Sequence, residues 1–288
     1  MANVSILWNK PSDRGTYAQG SWVASLPLAH LQTQDVQRVA RSTSAAIVHT
    51  RFRVDLGTAV PEATRSFALL NHNGTLTATW RIVVTNDATD ADPAQRLLDT
   101  GFVAMWVPTV GFGLPPWGSF PWSGIDARDY TAGTLAIYEA PAAVTGRYVW
   151  VYVADATNPA GYFQAGRFLA GVACQPERNV AYGAGTRYID PSEVKRSRGG
   201  RRLVLAKPRY RQMELDFQSL TEREAFSVSF ELSRQLGKAG DLLISLDPDD
   251  AGGVRFRRTF YAALADTTPI VIPKFNRWQW SITAEELI

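Results

Sequence analysis

Three histidines, His30, His49 and His72, are the only imidazoles in this 288-residue chain. They fall in different segments, at no spacing that metal ligands use. A hydrolase needs a nucleophile beside a positioned base, and the chain has no Gly-x-Ser-x-Gly elbow. No Gly-rich loop ends in Lys-Ser or Lys-Thr, so there is no P-loop. His72, in Leu70-Asn71-His72-Asn73-Gly74, reads as a turn residue. The lone cysteine, Cys174, excludes an intramolecular disulfide and a cysteine metal cluster. In the apolar run that starts at Leu169 it reads as a small buried side chain.

Two acidic stretches remain. Asn86-Asp87-Ala88-Thr89-Asp90-Ala91-Asp92 alternates oxygen ligands like part of a calcium loop, yet lacks the glycine and the closing glutamate of an EF-hand. A solvated loop ending in a helix cap is the simpler reading. Asp247-Pro248-Asp249-Asp250 followed by Gly252-Gly253 reads as a turn between strands. Glycosidase carboxylates are paired in space rather than in sequence, and nothing here selects a pair. The expectation is a protein with no catalytic residues, no cofactor and no metal.

The residues suited to binding are aromatic and basic. Between 102 and 122, Phe102, Met105, Trp106, Phe112, Trp117, Phe120 and Trp122 are interleaved with glycines and prolines that break regular structure. Such a loop could close a core, anchor a subunit interface or stack on sugar rings. Residues 187–211 hold nine basic and two acidic side chains in an otherwise balanced chain of 30 basic and 27 acidic residues. No interleaved aromatics, helix-turn-helix or zinc motif accompany them, which argues against nucleic acid as a partner and for docking on an acidic neighbour. Trp106, Trp117, Phe120, Trp122, Arg198, Arg201 and Arg202 are the candidate interface residues.

The elements that would carry these residues are mostly strands. Short β-branched and aromatic runs, separated by Gly, Pro, Asn and Asp, predict strands near 4–8, 50–56, 65–71, 78–85, 134–138 and 147–153. Trp80, Ile82 and Val84 share one face. In 147–153 both faces are apolar, the three valines on one and Tyr148, Trp150 and Tyr152 on the other, which predicts a central strand. Asp92 with Pro93 predicts a short helix over 92–100. In the C-terminal part, strands are expected near 203–206, 210–217, 242–246, 255–262 and 278–283. A helix is expected over 222–236, capped by Thr221 and Glu224, with Phe226 and Phe230 on its apolar side and Gly237 as its stop.

The expected architecture is mainly β. It has a jelly-roll β-sandwich over 1–180, a basic Gly/Arg-rich linker or arm over 181–202, and a smaller β-rich, α+β domain with one helix over 203–288. The start lacks a basic segment followed by an apolar core, and no run of the ~18 apolar residues needed to span a bilayer occurs. Cytoplasmic synthesis without membrane insertion is therefore expected.

Two resemblances add to this. Phe52-Arg53-Val54-Asp55-Leu56-Gly57, Trp80-Arg81-Ile82-Val83-Val84, Gly146 through Val153 and Gly166-Arg167-Phe168-Leu169-Ala170-Gly171 come in the order of the discoidin-like, galactose-binding-like jelly roll, which residues 1–175 resemble. That family implies binding of glycans, lipids or proteins through loops at one end of the barrel. The disulfides of its secreted members are missing here. The stretches 24–33, 38–42, 260–264 and 278–286 resemble tail-tip, or distal tail, proteins of long-tailed bacteriophages. This second resemblance implies a virion tail component assembled in the host cytoplasm. It would form a homo-oligomeric ring between tail tube and host-recognition parts, with tube, hub and fibre proteins as partners and a host-surface glycan as a ligand. The alternative is a carbohydrate-binding module or receptor binder acting through the jelly-roll loops.

Overall fold

Alternation of apolar and polar residues builds a mainly β chain, as expected. The computed structural model describes residues 3–57, 62–109, 124–125, 133–249, 255–266 and 268–287. They divide into one unit of Met1–Cys174 with Ser245–Thr259, and another of Gln175–Ile244 with Phe260–Ile288.

In the first unit the described strands are β1 (Ser5–Leu7), β2 (Thr16–Ala18), β3 (Ala40–Arg41), β4 (Phe52–Asp55), β5 (Ala63–Leu70), β6 (Thr79–Thr85), β7 (Arg96–Asp99), β8 (Val103–Ala104), β9 (Leu135–Thr145), β10 (Tyr148–Ala154), β11 (Gln164–Ala165) and β12 (Arg167–Gly171). One sheet runs β2-β4-β10-β6-β7, with β8 also on β6, and a second runs β12-β5-β9. The first is antiparallel at each register given, with Val149 opposite both Val54 and Val84. Phe52, Val54, Trp80, Ile82, Val84, Val149, Val151 and Val153 point inward and meet Phe67, Leu69, Phe168 and Ala170 of the second sheet in one buried cluster. Phe52 packs edge-on against Phe168 with centroids 5.2 Å apart. This is the two-sheet sandwich of strands that alternate inward and outward.

The other face of β10 is also covered. Trp150 stacks on Tyr152, and guanidinium groups lie over the rings: Arg53 and Arg147 over Tyr148 at 5.0 and 4.8 Å, and Arg81 over Tyr152 at 5.8 Å. Arginine stems thus roof the outward aromatics, and Trp150 is buried on the nominally solvent side.

Some expectations are corrected here. The helix expected over 92–100 is a single 3-10 turn, Pro93–Gln95, followed by β7, which pairs with β6. Asp92 does cap that turn, accepting from the Ala94 N–H at 2.9 Å, but Arg96–Asp99 completes the sheet edge instead of extending the turn. Cys174 is partly exposed rather than buried, because its backbone bridges to Ile6 at the margin of the unit. The strand expected from 255 begins only at Thr259, after a helical turn over Arg255–Arg258.

The second unit carries β13 (Gly185–Ile189), β14 (Glu193–Arg196), β15 (Arg202–Leu205), β16 (Tyr210–Leu220), β17 (Asp241–Ser245), β18 (Thr259–Asp266), β19 (Val271–Lys274) and β20 (Arg277–Glu286). Its sheet runs β17-β18-β20-β16-β13, with β19 on β20. Within it the Arg211 guanidinium is paired with Glu286, both buried, and Glu286 also accepts the Arg211 N–H at 3.0 Å. A helix follows β16: Glu222–Glu224 is α-helical, Ala225–Phe230 is a π turn and Glu231–Leu236 is α-helical again. The Thr221–Glu224 capping box forms, and Gly237 at φ 52° closes the helix.

The buried side of this helix differs from the expected one. Ala225, Ser229 and Leu232 are buried, while Phe226 and Phe230 are exposed. Two residues four apart share a face, so the phenylalanines do form a stripe. The small Ala225 and Ser229 let the helix lie close on its own body, and the stripe of rings is turned outward.

Packing at the sandwich margin is tight at Gly166. A β-carbon there would stand 2.1 Å from the Val36 carbonyl oxygen, which is backbone and cannot move aside cheaply. Gly166→Ala is expected to lower the unfolding free energy by about 2 kcal/mol, read as an earlier urea midpoint with unchanged slope.

Candidate functional site

Strand direction brings the connections 71–78 and 155–163 to one end of the sandwich, together with Trp106 after β8 and Arg41 at the end of β3. Their polar groups are tied to one another. Asp155, at the end of β10, accepts from the Thr75 N–H at 2.9 Å, from Thr75 Oγ1 at 2.6 Å and from Asn158 Nδ2 at 2.8 Å. Asn158 Nδ2 also donates to the Asn73 carbonyl at 3.0 Å. Asn73 in turn donates to the Tyr162 carbonyl at 3.1 Å and accepts from the Gln164 N–H at 2.8 Å. Trp106 Nε1 donates to the Thr75 carbonyl at 2.7 Å. Side chains some 80 residues apart in sequence therefore hold two loops as one rigid body.

His72 sits inside this body. It is 3% exposed, its ring meets Trp106 edge-on at 5.4 Å, and neither ring nitrogen has a hydrogen-bond partner among the described residues. It is thus a buried residue, beyond the turn role read from its neighbours. Burial pulls its pKa down to about 3, against a smaller opposing pull from Asp155. Arg41 and Tyr162 form the rim. The guanidinium lies 4.2 Å over the Tyr162 ring and donates to Gln164 Oε1 at 3.1 Å. Both are partly exposed and are the groups a ligand would meet at this end.

Of the candidate aromatic residues, Trp106 is partly buried and used for loop closure, while Trp117, Phe120 and Trp122 lie outside the described residues. His30 meets the Val39 carbonyl and His49 meets Thr43, so the three imidazoles stay apart. Among the described residues no three His, Cys, Asp or Glu side chains are arranged to hold a metal. In the acidic loop, Asp87 spends its oxygens on the N–H groups of Thr89, Ala91 and Asp92 and on the Thr89 hydroxyl. Those bonds hold its carboxyl at about 2. Asp90 is taken by Arg96 at 2.7 Å and by the Tyr152 hydroxyl at 2.8 Å. The loop's oxygens thus serve its own backbone and neighbours.

Arg198, Arg201 and Arg202 stand on a hairpin of the second unit. β13 pairs with β16 and β14 with β15, Glu193 opposite Leu205 and Arg196 opposite Arg202. Pairing slips by one residue between Ile189↔Tyr210 and Glu193↔Leu205, as at a bulge. The basic segment is therefore an antiparallel ribbon that turns at Ser197 to Arg201, with Gly200 at φ 79°. Every residue of β14 and β15 is exposed.

No family model matches the chain, and no curated protein sequence matches it. Among solved structures it is similar to CBM32-1 from a family 31 glycoside hydrolase of Clostridium perfringens, at 13% identity, over 57% of this chain and 96% of that one, with a TM-score of 0.34. It is also similar to a chain in the X-ray crystal structure of reduced XRCC1 bound to DNA pol beta catalytic domain, at 12% identity, over 57% and 99% of the two chains, with a TM-score of 0.32. Among the described residues no helix is long and apolar enough to cross a membrane.

The buried imidazole of His72 makes stability depend on pH. The unfolded chain binds a proton near the ordinary value of 6.5, whereas the folded site resists it down to about 3. Stability is therefore full above 6.5 and falls as pH drops through that window. Between about pH 7 and about pH 5 the native protein should lose about 2 kcal/mol more than His72→Phe does, measured by urea unfolding at both values.

Proposed function

We propose that the chain is a non-enzymatic binding and assembly protein. The second unit docks on other protein subunits, and the jelly roll presents its loop end to a carbohydrate. In the specific form that the phage resemblance implies, it is a virion component of a tail tip, forming a ring that joins tail tube to host-recognition parts.

The observation that carries the assembly half is the outward stripe of the helix. Phe226 and Phe230 touch each other and Phe226 touches Trp278, while Val271, Ile272 and Phe275 stand exposed on and just after β19, which pairs with the same strand, β20. At 44%, 51% and 97% exposure, the three phenylalanines alone leave roughly 400 Å² of residue surface in water. That is about half of one partner's share of a standard interface. A surface of this kind marks association. At micromolar concentration the protein should sediment as a species larger than its 31.7 kDa monomer. Phe226→Asp with Phe230→Asp should return it to monomer without changing its circular dichroism. A native protein that stays monomeric throughout this range would sink the assembly reading.

The carbohydrate half is favoured by the rim at the loop end. There a partly exposed guanidinium and a partly exposed tyrosine stand on a body already locked by Asp155, Asn158 and Asn73. Ligand binding at such a site would cost little loop ordering. A glycan array should give hits that Arg41→Ala or Tyr162→Ala reduces at least about tenfold, a loss of about 1.4 kcal/mol. An array without hits, or hits indifferent to both changes, would remove this half and leave the assembly half standing.

A further inference from the structure

The ribbon of the second unit divides into two electrostatic parts. Near the body its charges are paired: Arg187 with Glu214 at 3.0 Å, Arg209 with Asp190 at 3.1 Å and Lys207 with Glu193 at 2.7 Å. Beyond Glu193 lie Lys195, Arg196, Arg198, Arg201 and Arg202 with no acidic residue among them, all exposed, and none makes an ion pair among the described residues. Arg196 and Arg202 are cross-strand partners, and like charges placed directly opposite each other weaken a hairpin. A two-stranded ribbon is marginal by itself in water. The tip thus holds a repulsion that an anion between the strands' side chains would relieve.

We infer that this tip binds duplex nucleic acid, entering a groove between the two rows of phosphates. Three observations favour that partner over other anionic surfaces. The cations stand on both faces of the ribbon as well as at its turn, because Lys195 and Arg196 are adjacent in a strand and so point to opposite sides. A groove offers phosphates on both sides, whereas a flat surface meets one. The major groove, about 12 Å wide, admits a two-stranded ribbon. The apolar Val194, Val204 and Leu205 lie behind the cations on the body side, Leu203 stands opposite Lys195, and the turn itself, Ser197-Arg198-Gly199-Gly200-Arg201, has no apolar side chain. A tip that inserted into a lipid surface would need the opposite order.

The sequence, with no helix-turn-helix or zinc motif and no aromatic between Lys195 and Arg202, argues against nucleic acid as a partner, but a duplex held by its backbone needs neither motif nor stacking rings. Five phosphate contacts predict a slope of log K against log salt near −4.5, or about a 500-fold loss of affinity between ~50 and ~200 mM salt.

The experiment is fluorescence anisotropy of a short mixed-sequence DNA duplex titrated with the full chain across that salt range. Native protein should give the steep slope. Changing Lys195, Arg196, Arg198, Arg201 and Arg202 together to Gln should flatten it and weaken binding at least about a hundredfold at low salt. The matching variant with all four arginines changed to Lys should keep the slope, separating charge from folding. No binding at low salt, or the same slope in the Gln variant, would overturn the inference. So would anionic vesicles that displace the duplex from the tip. A Gln variant that loses self-association while still binding the duplex would overturn it too, and would assign the tip to a second copy of the chain. Apart from the self-association readout, these outcomes do not depend on the Phe226 surface or the Arg41–Tyr162 rim.

Discussion

Strand β10 is apolar on both faces, and the first unit is arranged around the need to keep both faces from water. Val149, Val151 and Val153 are covered by the second sheet. Among the described residues Tyr148, Trp150 and Tyr152 have no second sheet above them, and arginine stems from β4, β6 and the start of β10 cover them instead. The carboxylates of Asp55, Asp90 and Asp99 then hold those guanidiniums or their neighbours, Asp55 with Arg147 and Asp99 with Arg81. The acidic loop 86–92 is shaped by the same demand. Asp90 lands on the Tyr152 hydroxyl, and Arg53 donates to the Ala88 carbonyl at 2.8 Å. A string of metal-like oxygens in the sequence is, in the fold, a lid for an aromatic sheet face.

The legibility of the fold depends on how local each cause is. Alternation in Trp80-Arg81-Ile82-Val83-Val84 and in Arg147 through Val153 is a property of neighbouring residues, and both strands lie where that pattern puts them. The capping box of Thr221 and Glu224 spans one turn, and it forms. The outward turn of Phe226 and Phe230 is another matter. Two stripes on one helix fit the same period, and the choice is made by how closely Ala225 and Ser229 approach the body. Asp92 caps its turn as its type predicts, but the pull of an unpaired edge of β6 makes the next residues a strand.

The loop end is the least legible part, for a related reason. Asp155, Asn73 and Thr75 are common loop residues, and no spacing in the chain joins them. Only the sandwich brings them within hydrogen-bond reach. His72 illustrates the cost of reading a residue from its neighbours alone. Asn71, Asn73 and Gly74 predict a turn, yet the ring goes inward under Trp106. In the basic segment the apolar run from Leu203 reads as a strand and is one, whereas β13 and β14 do not, because no alternation marks them. Both faces of β14 and β15 stay in water, so no buried side imposes an alternating pattern on them.

That last point bears on where binding energy is held in each unit. At the loop end of the sandwich, the hydrogen bonds of Asp155, Asn158 and Asn73 are satisfied internally, and among the described residues a rim of Arg41 and Tyr162 stands partly exposed, so any ligand there would meet a preformed support. In the second unit the reverse holds: rings on the helix and cations on the ribbon are left unmatched within the described residues. A rigid, self-satisfied site contributes affinity by avoiding ordering costs, and it suits a small ligand. Unmatched apolar area and unmatched charge contribute by being relieved, and they suit large partners that cover apolar area at one place and neutralise charge at another. The division of labour arises from which groups each unit satisfies by itself and which it leaves for something else.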